Sequence, residues 1–382
     1  MVITDKPDQP TYARLPVKSS FSIESHFFLK ITVLTAVSYF FLSQILPGVF
    51  GMWEESHTLS TLNVSPAMRT RVTTSLADAL AKHYLDADKG AQLAAFVRES
   101  VQHGNYDSLS SPGELARALS ADLRDAANDS HLGVEFSAAT VPDEGDRGID
   151  HPPDDDVSLP QWLIDRLGRT LAKFGVGEVS QSPSGIAYIC LDAFFRPFLA
   201  AEKYAAAMDR VAGSRALIID LRTNGGGKAD SVPLLASYFF DRPTHLSDIE
   251  YPRTGERRAM WTRTDVEGTR YGSTRPVFIL TSHQTHSAAE DFAYAMQTRQ
   301  RATIVGETTR GGAHPVTRYR LDPHFIVHMP TAQSISPITH TNWEAKGVQP
   351  DVRVPAGSAL ETATALILRQ LRKTAARGDI NP

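Results

Sequence analysis

At 382 residues, with 42% hydrophobic and 21% charged residues, the chain has material for two globular domains and a leader. A formal charge of −4 gives no electrostatic reason to expect nucleic acid or acidic lipid as a partner. The single cysteine, Cys190, excludes an intrachain disulfide, and its apolar setting between Ile186 and Leu191 reads as a buried structural thiol rather than a reactive one.

Ile31 to Phe50 is twenty residues without a charge, long enough to span a bilayer as a helix. Lys6, Arg14, Lys18 and Lys30 precede it against Asp5, Asp8 and Glu24, a slight positive excess that suits a cytoplasmic start. Pro47-Gly48 breaks the run, and Val49-Phe50-Gly51 has the small residues of a signal-peptidase site. Residues 1–51 are therefore expected to be a cleaved export signal or an uncleaved anchor through residues 27–50. Either puts the remainder in the periplasm or another extracytoplasmic space, with no other membrane contact.

From Ser65 to Asn128 the pattern is helical. Ser65-Pro66 caps a first helix with Val72, Leu76 and Leu80 on one stripe. Leu93, Phe96, Val97 and Val101 mark a second, ended by Gly104. Ser111-Pro112-Gly113-Glu114 is a capping box that opens a third, with Leu115, Leu119 and Leu123 four apart. Residues 60–131 thus read as a three-helix domain. Residues 132–161 follow as a strand (Leu132–Phe136) and an acidic, solvated linker with seven acids between Asp143 and Asp156. From Trp162 to residue 372 strands and helices alternate: strands at Ile186–Leu191, Ala216–Leu221, Val277–Leu280, Ala302–Val305 and Phe325–His328, helices at Ala200–Val211, Val232–Phe240, Ala288–Met296 and Ala359–Leu371. Such alternation points to a mostly parallel sheet covered by helices.

Ser287 falls where the buried strand at Val277–Leu280 gives way to a helix with Ala289, Phe292, Ala293 and Met296 three and four apart. An anion beside a serine there meets unpaired N–H groups and the positive end of the helix dipole. The same serine also reads as a plain N-cap, with Glu290 completing a capping box. A nucleophilic hydroxyl needs a base. No lysine lies between Lys228 and Lys346, so a local Ser–Lys pair is disfavoured and a histidine brought in by the fold is expected from the thirteen present. His283 and His286 are near in sequence, but adjacent side chains at a helix start diverge. His131, in the turn Asp129-Ser130-His131, reads alone as an ordinary turn histidine. Gly225-Gly226-Gly227, straight after a buried strand, suits an oxyanion or anion site as well as a sharp turn. It lacks the Gly-Lys-Ser/Thr ending of a phosphate loop.

Four motifs stand in one order: Asp220-Leu221-Arg222-Thr223-Asn224-Gly225-Gly226-Gly227, Thr285-His286-Ser287-Ala288-Ala289-Glu290, Gly306-Glu307-Thr308-Thr309-Arg310-Gly311-Gly312-Ala313-His314, and Asn342-Trp343-Glu344-Ala345-Lys346-Gly347-Val348-Gln349-Pro350-Asp351. With Tyr106-Asp107 and Asp129-Ser130-His131-Leu132, they resemble the tail-specific (C-terminal-processing) serine peptidase family, in the branch similar to interphotoreceptor retinoid-binding protein. The resemblance covers roughly residues 60–360. It implies Ser287 as nucleophile. Gly312 stands where the better-known bacterial members carry their lysine, and a tricorn-like Ser/His/Ser/Glu site is implied instead. In that site His131 is the base, Ser130 and Glu344 orient and polarise it, and Gly226 and Ala288 donate to the oxyanion. Gly225 and Gly227 are the other candidate donors or substrate-loop residues. His314 falls in a family motif without a role of its own. The fold expected is α/β, a ClpP/crotonase-like, mostly parallel sheet core with helices behind the helical bundle and leader. The segment between His131 and Ile186 is too short and too acidic for the PDZ domain of typical members, which argues against tail-specific recognition.

The function expected is an exported serine-type peptidase acting on peptide or protein substrates through an acyl-enzyme on Ser287, with no cofactor and no metal. Esterase or other acyl-hydrolase chemistry would use the same groups. The alternative is a non-catalytic binder of retinoid-like or other apolar small molecules.

Overall fold

The computed structural model describes residues 63–137, 140–143, 145, 148 and 175–376, all within one compact unit, Leu62–Pro382. The leader expected at residues 1–51 and most of the acidic linker lie outside the described residues. Among the described residues no helix is long and apolar enough to cross a membrane.

Helix α1 (Pro66–His83) is capped by Ser65, whose Oγ accepts the Met68 N–H, and α2 (Ala87–Gln102) by Asp86, whose carboxylate accepts the Lys89 N–H. Helix α3 (Pro112–Ala127) starts with the Ser111/Glu114 box and ends on Asn128 in the left-handed region. Their buried stripes do not close on one another alone. Strand β1 (Gly133–Phe136) pairs antiparallel with β10 (Phe325–Pro330), which pairs with β9 (Val316–Asp322). Leu321, Phe325, Val327 and Met329 from these late strands fill the same core as Leu76, Leu93, Leu119 and Leu123. Ser120 on α3 fixes β1 by bonding both Val134 N–H and Val134 O. The turn holding Ser130 and His131 is thereby clamped between α3 and β1.

The central sheet contains β2 (Val176–Gln181), β3 (Ile186–Leu191), β4 (Ala216–Asp220), β7 (Val277–Thr281), β8 (Thr303–Gly306) and β12 (Val352–Arg353), in the order β12-β8-β7-β4-β3-β2. Residues of β4 and β7 are buried throughout because both faces are covered. Leu217, Ile219, Val277 and Ile279 point to a core shared with α4 (Pro197–Val211), α5 (Ser231–Ala236) and α6 (Ala288–Thr298). The alternating Ala216, Ile218, Phe278 and Leu280 meet Ala363, Ile367 and Leu371 of α7 (Ala359–Ala376). Cys190, expected to be buried, is only half-buried, and its thiol donates to Asp192.

The ClpP/crotonase-like core is not what the chain adopts. The central sheet is mixed: four pairings are parallel, but edge strand β2 runs antiparallel to β3. Two further antiparallel sheets stand beside it, β1-β10-β9 and one built from β5 (His245–Tyr251), β6 (Glu256–Trp261) and β11 (Gln333–Ile335) in the order β11-β5-β6. The reason is visible in β6, whose Glu256, Arg257, Arg258 and Ala259 are exposed. An exposed edge strand needs no apolar run, so it leaves little trace in hydrophobic periodicity.

Candidate active site

Three loops leave the carboxyl ends of the adjacent parallel strands β4, β7 and β8 and converge, the usual place for a ligand site in such a sheet. The β7 loop carries Ser287 at the start of α6 with φ 57° and ψ −123°, a conformation costly for a residue with a Cβ. The surroundings hold it there. Its N–H donates to Glu290 Oε2 (2.8 Å), and Asp291 N–H donates to its carbonyl. Thr285 Oγ1 donates to Leu221 O, and His286 N–H to Asn224 O, tying the β7 loop to the β4 loop.

Glu290 is the organiser that sequence reading took only for half of a capping box. Besides Ser287, its buried carboxylate accepts Thr309 Oγ1, Gly311 N–H (2.7 Å) and Gly312 N–H (2.9 Å) from the β8 loop. Burial pushes its pKa up against the pull of these donors. Asn224 does similar work in the β4 loop: its amide donates to Leu191 O and its Oδ1 accepts Gly226 N–H (2.8 Å). Gly226 itself has φ 98°, and a Cβ there would lie 2.7 Å from both His286 O and Ser287 Cβ. Only glycine allows this approach. Because its N–H is already engaged, Gly226 is not open to an oxyanion in this arrangement. The N–H groups of Gly227 and Ala288 make no hydrogen bond among the described residues, and both residues line the cleft beside Ser287.

The cleft has a volume of about 180 Å³ and is lined by His131, Ser287, Gly312 and His314, among others. His131 thus lines the same cleft as Ser287, although the two are far apart in sequence. Neither ring nitrogen of His131 has a hydrogen-bond partner, and its ring stacks on His286 at 4.3 Å between centroids. Burial, opposed by the Asp129 charge, lowers the His131 pKa to about 4. Burial, with the His131 and Arg310 charges, lowers that of His286 to about 3. Both rings are neutral near pH 7.

Ser130 and Glu344 are placed otherwise than the resemblance implies. Ser130 Oγ lies 2.9 Å from His286 Nε2 and makes no bond to His131. Glu344 Oε2 accepts Ala313 N–H and lies 3.6 Å from His314 Nδ1, while Oε1 is buried without a partner. The carboxylate whose charge acts on the His131 ring is Asp129; its Oδ1 accepts the His131 backbone N–H, and its Oδ2 lies 2.7 Å from His314 Nδ1. Tyr84 OH also donates to it. His314 therefore sits between two acids. Burial opposes its charge, but the Asp129 hydrogen bond and the Asp129 and Glu344 charges outweigh burial and raise its pKa. Burial and the Asp129 charge push Glu344 up to about 7. Asp129, His314 and Glu344 have donor atoms within 4.8 Å of one another, a grouping able to hold a metal ion. The imidazole bridging two carboxylates accounts for the cluster as it stands.

Gly312 explains why imidazoles fill this corner. A Cβ there would lie 2.2 Å from His286 Nε2 and 2.5 Å from His131 Cε1, so the two rings occupy the space a side chain at 312 would enter. Asp129, His286 and Glu290 all sit inside the quoted motifs, but only the folded loops reveal what each one holds.

Residues 185–354 match peptidase family S41, and residues 56–165 match the N-terminal domain of peptidase S41 in eukaryotic IRBP. The chain belongs to peptidase family S41. It is 27% identical over 142 residues to the carboxy-terminal processing protease CtpA of Bacillus subtilis, covering 37% of this chain and 29% of that protein. It is 28% identical over 180 residues to the chloroplastic carboxyl-terminal-processing peptidase 2 of Arabidopsis thaliana, covering 47% of this chain and 33% of that protein. The chain thus spans about a third or less of these relatives' length. Among solved structures, a putative peptidase from Parabacteroides merdae superposes with a TM-score of 0.52 at 17% identity, covering 78% of this chain and 96% of that one. A lipoprotein from Streptococcus agalactiae gives 0.52 at 15% identity, covering 81% and 99%. These likenesses concern the fold, the α/β architecture with a mixed sheet that replaces the ClpP/crotonase-like expectation.

Proposed function

We propose that the chain is a serine-type peptidase that hydrolyses peptide bonds through an acyl-enzyme on Ser287. The observation that carries this reading is Ser287 itself, held in a left-handed conformation at a strand-to-helix junction, facing a cleft shared with a neutral, unbonded imidazole. In the proposed reaction Ser287 Oγ attacks the substrate carbonyl carbon while its proton passes to His131. The resulting oxyanion is held by the N–H groups of Gly227 and Ala288. The role first given to Gly226 passes to Gly227, because Asn224 engages the Gly226 N–H. Collapse expels the amine, which takes the proton from His131, and a water activated by the same ring releases the acyl group. Hydrogen bonds of this kind commonly tighten only when substrate binds.

Ser130 acts through His286, whose ring supports His131 by stacking. Glu344 acts through His314 and the Ala313 backbone. Substrates are peptides or proteins, and the location is extracytoplasmic, a reading supported by the uncharged Ile31–Phe50 segment. Binding of a whole retinoid-like molecule fits less well, since a cleft of about 180 Å³ lies below the ~300–1,000 Å³ usual for such ligands. The test is labelling with a fluorophosphonate. Wild type should be labelled on Ser287 and Ser287→Ala should not; no label on wild type, or equal label on both, refutes the proposal.

A further inference from the structure

The cleft continues past Ser287 along α6. Asp291 lies one turn on, at the spacing that puts two side chains on one helix face, and it lines the same cleft. Its side chain is buried, and among the described residues the only hydrogen bond to its carboxylate is from Ser247 Oγ, at 3.4 Å. Arg299 is the cation whose charge reaches it, yet that guanidinium bonds Ala295 O and Thr298 Oγ1 and makes no ion pair with Asp291. Lys228 also lines the cleft, and it is exposed. Ser334, from β11, lines the cleft too, and its hydroxyl is buried with no partner. Ile249, Ala229 and Trp343 supply apolar wall between these polar atoms.

A buried carboxylate with one long hydrogen bond and a buried hydroxyl with none are costly features in a folded protein. Both residues line the cleft that also holds the candidate nucleophile. A chain of methylenes ending in a cation satisfies every part of it: the stem packs on Ile249 and Trp343, and the head meets the carboxylate and the hydroxyl. We propose that Asp291 and Ser334 form the subsite for the side chain on the acyl side of the scissile bond, and that this side chain is lysine or arginine. This rests on the peptidase reading and adds the substrate class. Burial raises Asp291 to about 7, so an incoming cation would also favour its ionised form.

The test uses the purified full-length chain with fluorogenic peptides varied only at the residue before the scissile bond. Lysine and arginine should give kcat/KM roughly 10- to 100-fold above leucine, alanine and glutamine. Benzamidine should slow fluorophosphonate labelling of Ser287, and benzyl alcohol should not. Asp291→Asn should bring the basic and neutral substrates to within a few-fold of each other and remove the benzamidine effect. Ser334→Ala should narrow the preference by a smaller factor. Wild-type protein alone decides the matter if Asp291→Asn does not fold. Labelling and cleavage with a neutral or uncharged-polar preference, or no protection by benzamidine, overturns this subsite and leaves the peptidase reading standing. No labelling at all overturns both.

Discussion

The two imidazoles beside Ser287 are packed against a residue with no side chain. An added methyl at Gly312 would overlap the ends of both His131 and His286, and the backbone there is not in the left-handed region. The cheapest response is rotation of the two rings, since they are side-chain ends and not backbone. Gly312→Ala is therefore expected to fold with a loss of about 1–3 kcal/mol while Ser287 labelling slows at least about tenfold. Circular dichroism and urea unfolding measure the first, and the labelling rate the second. Unchanged labelling would mean that the rings do not serve the serine. The expected and observed roles of Ser130 and Glu344 differ for a related reason. Sequence motifs identify residue types in order, but which imidazole a hydroxyl or carboxylate reaches depends on ring rotation and on loops meeting from three strands.

The loops after β4, β7 and β8 act as a unit because Glu290 accepts donors from the β7 and β8 loops, while His286 N–H and Thr285 Oγ1 from the β7 loop bond Asn224 O and Leu221 O of the β4 loop. Replacing Glu290 by glutamine keeps the shape but turns one acceptor oxygen into a donor that faces a buried N–H. The cost is about 3 kcal/mol, the usual penalty for orphaning buried donors. The Ser287 turn should loosen with it. We expect Glu290→Gln to lower the urea midpoint and to slow labelling more than Glu290→Asp, which keeps the charge. Equal stability of Glu290→Gln and wild type would refute this role. Among the elements, those with strong apolar runs were legible in the sequence: Ile186–Leu191, Ala216–Leu221, Val277–Leu280 and the capped helix at Pro112. The hairpin of β5 and β6 was not, because its outer strand is exposed and charged, nor was the long-range pairing of β1 with β10. Pairings between residues nearly two hundred apart leave no local pattern. Ser287 was legible at its junction, whereas the work of Asp129, His286 and Asn224 depends on contacts that exist only after folding.

At the scale of the whole molecule, the buried titrating groups oppose one another. His131 and His286 have folded values near 4 and 3, below the ordinary 6.5, so between about pH 4 and 6.5 the unfolded chain binds protons that the folded one does not. Stability from these two groups is present above 6.5 and is lost as pH falls. Glu344 and Asp291, both raised to about 7, do the reverse: the folded chain keeps protons that the unfolded one releases above about pH 4 to 4.5, so their contribution falls as pH rises. Two groups of each kind nearly cancel between about pH 5 and 6.5. Above 6.5 the histidine contribution is constant, and Glu344, Asp291 and the raised His314 all release protons from the folded state, so stability declines. Removing one histidine breaks the balance. Relative to wild type, His131→Asn should gain stability as pH falls from 6.5 to 5, on the order of 1.4 kcal/mol per pH unit for one proton. Urea unfolding at half-unit steps from pH 4.5 to 8 measures both curves. Parallel curves for the two proteins would show that His131 is not held neutral by burial, and the case for it as a ready base would go with that result.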